Sequence, residues 1–520
     1  MSAQVADMDT TLDDTRLASG ETLPDAPVGA LRHGGVLYLQ IAETLARSIR
    51  AGAMRRGERV PSVRELARQH GVSLSTATQA YRSLEDARLI EARPRSGYFV
   101  AARPRALPEP ETSHPPSVSR LVDRSSLSAE VMRIVDDPAF VSFGAACPDA
   151  SLFDETRLRR ALTRAAQRHR QTLAQYRVGP GHESLRRAIS RHALRLGSVI
   201  DPQQLLVTNG CLEAIVLGLR AVTQPGDVVA LESPTYFGFF EILEQLHLRA
   251  LEIPTHPRTG MALDALQLAF DTQPVKAVLV VPTLSNPLGA SMPQAERRRL
   301  AQMAGRRGTP VIEDVIYNDL SEQDDRRRSV HSFDTTGTVM LCGSFTKTLA
   351  PGIRIGWLAA GRWQASVQRM KATTSGGQST VLELAMADLL GHTGIESGYR
   401  RLRATIAARV DEARGIIARH FPRGSRVTDP PGGFILWVEF PRAVDTMVLF
   451  RACLDERICF APGNMFSASE RFPSFARLGV GGRWGEPERR ALRRIGELAS
   501  RMVEAGTEAD HAGAPQGGRR

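Results

Sequence analysis

The sequence predicts an α/β protein: a large domain on a mainly parallel sheet, preceded by a separate small helical module that ends in a hairpin. Two features carry this expectation. From Phe140 to Ala505, helical patterns alternate with short apolar runs such as KAVLVVPT and TPVIEDVIY, the rhythm of parallel strands joined by helices. Ahead of it, RPRALPEPETSHPPSVSR (103–120) is rich in proline, which blocks helix and strand and leaves an extended spacer between folded parts. The expected organisation is a disordered N-terminus over 1–33, the small module over 34–102, and a Pro-rich linker over 103–139. The large domain then spans 140–505, followed by a disordered tail over 506–520.

Composition excludes several classes. With 42% hydrophobic and 24% charged residues, the 520-residue chain has the balance of a soluble globular protein. It has no run approaching the roughly 18 apolar residues of a membrane span, and the acidic start MSAQVADMDTTLDD is no secretory signal. A cytoplasmic location is expected. The five cysteines (Cys147, Cys211, Cys342, Cys453, Cys459) are scattered, so neither a disulfide framework nor a metal site is expected. The net charge of +11 is almost wholly arginine; lysine occurs only at positions 276, 347 and 371. Arginine richness of this kind is no argument for a particular partner. It does single out the lysines, because a desolvated lysine can serve as an amine nucleophile and an arginine cannot.

In the small module Leu37, Ile41, Leu45 and Ile49 give a first helix one apolar face, which Gly52 ends. Ser62 and Glu65 have capping-box spacing ahead of a helix over Val63–Gln69 that stops at Gly71. Ser73 opens a further helix, and LIEARPRSGYFV reads as a β-hairpin wing with a Pro/Gly tip. Helix, short turn, helix and wing suit double-stranded DNA. Ser73, Ser75, Thr76 and Gln79 cluster on the half of the helix that enters a major groove. Ser62, Arg64, Arg82, Arg93 and Arg95 can serve the phosphates, and Ser96-Gly97 lets the wing approach closely. Through IAETLARSIRAG, RVPSVRELARQHGVSLSTATQAY and SGYFV the module resembles the winged helix of GntR-type regulators. It departs from them at Leu74, where members often carry arginine, so no operator sequence carries over.

In the large domain, Lys347 follows an apolar strand (TVMLC) and a hydroxyl-rich turn within CGSFTKTLAPGIRIGW. A lysine that holds pyridoxal 5′-phosphate (PLP) as a Schiff base needs this placement. Ser344, Thr346 and Arg354 surround it as phosphate ligands, Arg354 being able to pair bidentately. Asp314, at the end of its own strand, can keep a pyridine nitrogen protonated. Tyr317 and Asn286 can bond the ring oxygen, and Tyr236 can stack on the ring. The backbone of Gly210, Cys211 and Leu212 opens a helix toward the phosphate.

These pieces, with QYRVGPGHESLRRAI, TNGCLEAI, ESPTYFG, SNPLG, PPGGFILW and FARLGV, resemble fold-type I aminotransferases from about Phe140 to Gly479. The resemblance implies a smaller α/β C-terminal subdomain and Lys347 as the catalytic lysine. It further implies that Tyr176 reaches the phosphate across a homodimer, that Arg477 pairs with a substrate carboxylate, and that Gly144 contacts substrate. The two halves together resemble MocR-type regulators. That pairing implies a DNA-binding regulator that senses PLP or a small amino compound by aldimine exchange at Lys347. Two other readings stay open at this point: a working aminotransferase with an attached DNA module, and a domain in which PLP is only a stabiliser.

Overall fold

A computed structural model of the chain describes residues 34–50, 54, 58–86, 89–93, 96–100, 107–122, 127–135, 137–323, 327–469 and 471–512. The segment expected to be disordered at 1–33, residues 513–520 of the tail expected to be disordered over 506–520, the helix stop at Gly52, and Arg95 lie outside the described residues. Two units are distinguished, 1–103 and 104–520.

The first unit contains α1 (Gly34–Arg50), α2 (Val63–Gln69), α3 (Leu74–Asp86) and an antiparallel hairpin of β1 (Ile90–Arg93) and β2 (Gly97–Val100). Ser62 caps α2, its Oγ accepting from Glu65 N at 3.2 Å. The core joins Ile41, Ala42, Leu45 and Ala46 of α1 to Ala77, Ala80, Tyr81 and Leu84 of α3. Leu37 is 43% exposed and falls outside that face. A four-residue spacing drifts by about 40° per step on a 3.6-residue helix. Alanines 42 and 46 complete the buried stripe instead.

The second unit is layered around a nine-stranded sheet among the described residues. Its strands include β3 (Arg120–Leu121), β4 (Leu205–Thr208), β5 (Val228–Ser233), β6 (Arg249–His256), β7 (Val275–Val280), β8 (Val311–Asp314), β9 (Val339–Ser344) and β10 (Gly356–Ala359). The spatial order is β3-β6-β5-β7-β8-β9-β10-β4, and β6, β5, β7, β8 and β9 are mutually parallel. Strands β7, β8 and β9 are buried over most of their length, which is why KAVLVVPT, TPVIEDVIY and TVMLC read as apolar runs rather than alternations, whereas β6 (RALEIPTH) carries polar residues. After the long helix Ile395–His420, a small antiparallel sheet forms from β11 (Arg426–Val427), β12 (Ile435–Glu439), β13 (Ala461–Pro462) and β14 (Phe475–Gly479). This is the smaller C-terminal subdomain. The last helix runs over Glu486–Ala512, past the expected boundary at 505.

The linker expected over 103–139 needs correction. From Leu107 it is a strap laid across the second unit. Pro108 O accepts from Val427 N at 3.0 Å, and Glu109 takes Asp429 N at 2.9 Å and pairs with Arg258. Glu111 pairs with Arg426 at 2.8 Å, Ser113 Oγ donates to Ser233 O, and Arg471 donates to His114 O. Arg120 and Leu121 then add an edge strand to β6, and α4 (Leu127–Val135) buries Val131 and Ile134. Prolines keep the segment extended, as its composition says. Yet its carbonyls, glutamates and serine bond partners that lie far away in sequence, and composition cannot show that. The strap therefore touches both the large sheet and the small subdomain.

Candidate functional site

The parallel strands of the large sheet deliver their carboxyl ends to one crevice, the usual ligand position in open α/β sheets. Asp314 ends β8, Ser344 ends β9, and α5 (Gly210–Val222) begins just after β4. A cavity of about 300 Å³ opens there, lined by Asn286, Asp314, Tyr317, Thr346, Lys347 and Arg354. Gly144, Cys211, Leu212, Tyr236 and Arg477 also line it.

Asp314 is buried and accepts from Ile316 N at 2.9 Å and Cys211 Sγ at 3.1 Å. Burial pushes its pKa up to about 6, against the pull of those two bonds and of Lys347. Lys347 is half-buried, and desolvation lowers its pKa; Arg477 and Arg354 act in the same direction, while Cys147 and Asp314 oppose them. A lysine held this way is closer to the neutral amine that nucleophilic chemistry requires. The other two lysines are differently occupied. Lys276 is exposed, and Lys371 is buried against Glu213 of α5 at 3.0 Å and Ser375 Oγ at 2.6 Å. Only Lys347 faces the cavity.

Tyr317 is buried edge-on to Phe434, with ring centroids 6.1 Å apart, and burial raises its phenol pKa. Tyr236 packs against Phe237 and Phe239 at 4.7 and 5.5 Å. The side-chain oxygen of Asn286 is buried without a hydrogen-bond partner. Arg477, on β14 opposite Trp437, is 1% exposed. One of its terminal nitrogens donates to Gly144 O, its guanidinium lies 5.5 Å from the Phe466 ring centre, and its Nε and Nη1 have no partner. Desolvation lowers its pKa, the expected result for a buried guanidinium without a counter-ion.

Three expected residues do not line the cavity. Ser344 donates to Ile355 O at 3.0 Å and lies 2.7 Å from Thr346 Oγ1, so it braces Thr346. Gly210 has φ of 76° and lies under Arg354, where an added Cβ would sit 2.8 Å from Nη2. Gly210→Ala is therefore expected to displace Arg354 and strain the turn by about 1–2 kcal/mol. PLP affinity should fall about tenfold, measured by titrating the apoprotein. Tyr176 is 91% exposed, away from the cavity of its own chain.

Sequence reasoning missed part of the wall. Met132 and Val135 of α4, Cys147, Phe237 and Phe239 also face the cavity. The apolar spacing of Leu127, Val131 and Ile134 was the available signal for α4, obscured by its place behind a proline run.

On the first unit, Arg64, Ser75, Gln79, Arg82, Ser96 and Gly97 are exposed. Ser62 and Ser73 are exposed too, but their hydroxyls are engaged at helix starts. Ser73 Oγ accepts from Thr76 N at 3.1 Å and lies 2.8 Å from both Ser75 Oγ and Thr76 Oγ1. Arg93 is drawn to Glu91 at 2.7 Å and over Phe99 at 4.4 Å. Leu74 stands 53% exposed in the first turn of α3.

Comparison with known proteins agrees with both halves. Residues 37–100 match the bacterial regulatory proteins of the gntR family, and residues 149–495 match aminotransferase class I and II. The uncharacterized HTH-type transcriptional regulator YjiR of Escherichia coli (strain K12) is 36% identical over 467 residues, covering 90% of this chain and 99% of that protein. The probable rhizopine catabolism regulatory protein MocR of Rhizobium meliloti is 28% identical, covering 82% of this chain and 86% of that protein. The chain belongs to the MocR-type regulator family. Its large unit also has the fold of LysN, the alpha-aminoadipate aminotransferase of Thermus thermophilus, solved with N-(5′-phosphopyridoxyl)-L-leucine. The TM-score is 0.66 at 25% identity, covering 74% of this chain and 96% of that one.

PLP is the cofactor this family implies, and the MocR-type cavity suits it. A half-buried lysine, a buried carboxylate, an amide oxygen without a partner and a glycine-floored arginine converge on one crevice. Among the described residues there is no cluster of metal-ligating side chains, and no helix is long and apolar enough to cross a membrane.

Proposed function

We propose that this regulator senses a small amino compound at Lys347 and converts its presence into a change in DNA binding. The observation that carries the reading is Arg477. A buried guanidinium with two unpartnered donors is costly unless a ligand completes it, and a carboxylate matches its fork. It lines the same cavity as Lys347, so one end of the cavity takes an amine and the other an acid.

PLP, when bound, supplies an electrophilic carbon for which Lys347 and a ligand amine compete, and a ring that withdraws electrons. In this reading Asp314 faces the pyridine nitrogen, and Asn286 and Tyr317 bond the ring hydroxyl. Tyr236 packs on the ring face. Arg354, Thr346 and the amides of Gly210, Cys211 and Leu212 hold the phosphate, with Ser344 behind Thr346. Gly144 anchors Arg477 and borders the ligand. Tyr176 serves the site of a second copy in a homodimer. Its exposure together with that of Leu173 and Val178, at 91%, 66% and 50%, supports an apolar surface made to be covered.

The strap offers the route outward. Ser467 follows Phe466, on which Arg477 rests, and donates to the buried Glu252 at 3.1 Å. Glu252 also accepts from Ser233 Oγ at 2.8 Å, and Ser233 O takes Ser113 of the strap. A ligand that shifts Arg477 and Phe466 pulls on the segment leading to the DNA module, biasing a two-state arrangement.

Lys347→Ala provides the test. The wild-type protein is expected to bind its own upstream DNA with an affinity that changes when an amino ligand is added. The variant should bind that DNA with no ligand response; an unchanged response in a gel-shift titration overturns the reading. A working aminotransferase is the alternative, and release of a keto acid by the purified protein would identify it.

On the DNA, Ser75, Thr76 and Gln79 serve base edges, while Ser62, Arg64, Arg82, Ser96 and Gly97 serve the backbone. Leu74 has no hydrogen bond to offer, and its exposed methyls fit the methyl of thymine. Replacing the contacted thymine by uracil should weaken wild-type binding about threefold to tenfold and leave Leu74→Ala unaffected. The protein's place of action is the cytoplasm, with the DNA it regulates.

A further inference from the structure

The cavity has two unlike walls. One is polar and is accounted for by the lysine, the aspartate and the phosphate-side groups. The apolar lining consists of Met132 and Val135 of α4, Ala146, Phe237 and Phe239, and it meets Arg477 through Gly144, on which α4 packs, and Phe466, 6.0 Å from Phe237. The only charged side chains on the cavity are Asp314, Lys347, Arg354 and Arg477, counted among the described residues. Asp314 is held by Cys211 and Ile316, and Arg354 lies over Gly210. Lys347 and Arg477 are the amine and carboxylate ends. This chain brings no charged group to the second wall to meet a ligand's side chain.

The position of α4 is fixed by the same backbone that anchors Arg477. A Cβ at Gly144 would lie 3.2 Å from Val131 Cγ1 and 3.3 Å from Val135 Cγ2, so this helix packs directly on Gly144, whose carbonyl takes the guanidinium. An amino acid spanning Arg477 and Lys347 thus has α4, with Met132 and Val135 on the cavity, beside it. Methyl groups and rings reward an apolar side chain by the area removed from water. They leave a second carboxylate or ammonium desolvated and unpaired, which is costly.

We infer that the ligand of this site is an α-amino acid with an apolar side chain, and that Met132 and Val135 set this preference. The inference rests on the reading of Lys347 and Arg477 as the two ends of the ligand site. It excludes dicarboxylic and dibasic amino acids as the preferred ligand, and it makes α4 a specificity element of the second unit.

The test uses the full-length PLP-loaded protein, titrated with L-leucine, L-methionine, L-phenylalanine, L-glutamate and L-lysine. Visible absorbance of the cofactor and heat of binding are followed in parallel. The apolar acids are expected to half-saturate at concentrations at least about tenfold below L-glutamate and L-lysine. Met132 is 45% exposed, so Met132→Arg tests the wall without opening the core. That variant should gain about tenfold for L-glutamate relative to L-leucine. Equal or tighter binding of L-glutamate or L-lysine by the wild type overturns the inference and leaves the reading of Lys347 standing. Failure of every amino acid to change either absorbance or heat overturns both. An unaltered ligand order in Met132→Arg removes α4 from the account.

Discussion

Arg477→Ala is expected to weaken amino-acid binding by about 100-fold, roughly 3 kcal/mol, while PLP remains bound. The magnitude follows from the two donors, Nε and Nη1, that have no partner in the unliganded chain. A ligand carboxylate would meet them in a dry site, where charge-assisted bonds are strong. The unliganded variant should be no less stable than the wild type, because it loses a desolvated cation along with one bond to Gly144. A spectral titration and a thermal melt on the same samples check both halves. Arg477→Lys should fall between, since it keeps the charge and loses the planar fork. A variant that melts lower and binds ligand normally would make Arg477 a structural residue instead.

What the sequence showed and what it hid divide along a physical line. Strands β7, β8 and β9 were legible because each is buried over most of its length and stands in an apolar run (KAVLVVPT, TPVIEDVIY, TVMLC), whereas β6, RALEIPTH, carries polar residues and was not. Lys347, Asp314 and Asn286 were legible because they stand at the ends of such runs, in local patterns that a site chemistry requires. The cap at Ser62 was legible for the same local reason. Gly210 was read as a phosphate cradle, and the need for glycine came from a contact with Arg354, far away in the chain. The strap and α4 were not legible. Their roles depend on Arg258, Arg426, Arg471 and Gly144, which lie on other elements. A proline-rich composition describes the backbone conformation of such a segment and is silent about where it lies.

That distinction bears on the proposed coupling of ligand binding to the DNA module. A free linker transmits only a limit on distance. A strap bonded to both the large sheet and the small subdomain transmits any displacement between them. Glu109 alone joins Arg258, beside β6, to Asp429, beside β11. The ligand site lies between those same bodies, since Lys347 belongs to the large sheet's side and Arg477 to β14. Ligand and strap thus span one boundary, and a ligand that fixes it fixes the strap as well.

Asp314→Asn is expected to reverse its effect with the state of the site. In the apoprotein the carboxyl is buried, and its pKa is pushed up to about 6 from 3.8. Its stabilising contribution is complete below 3.8 and is lost as the pH rises through about 6, because the unfolded chain sheds the proton first. One pKa unit corresponds to about 1.4 kcal/mol, so the wild-type apoprotein gives up at most about 3 kcal/mol by pH 7 through this group. Asparagine does not ionise. The variant apoprotein should therefore be more stable than the wild type at pH 8 and lose that advantage near pH 4. Glu232, buried with its pKa pushed up to about 8, titrates in both proteins and cancels in the difference. Glu313, pushed up to about 7 by burial with the Asp314 charge adding to it, loses that added push in the variant, which widens the variant's advantage at pH 8. With PLP present the ordering inverts. In the proposed reading the carboxylate would hold a protonated ring nitrogen, and its removal should weaken PLP binding by about 100-fold, a typical cost of stranding one member of a buried ion pair. Melting curves of both apoproteins from pH 4 to 8, followed by PLP titration at pH 8, decide the matter. A variant less stable than the wild type at pH 8, with PLP affinity unchanged, would assign Asp314 to the strand and its Cys211 bond alone.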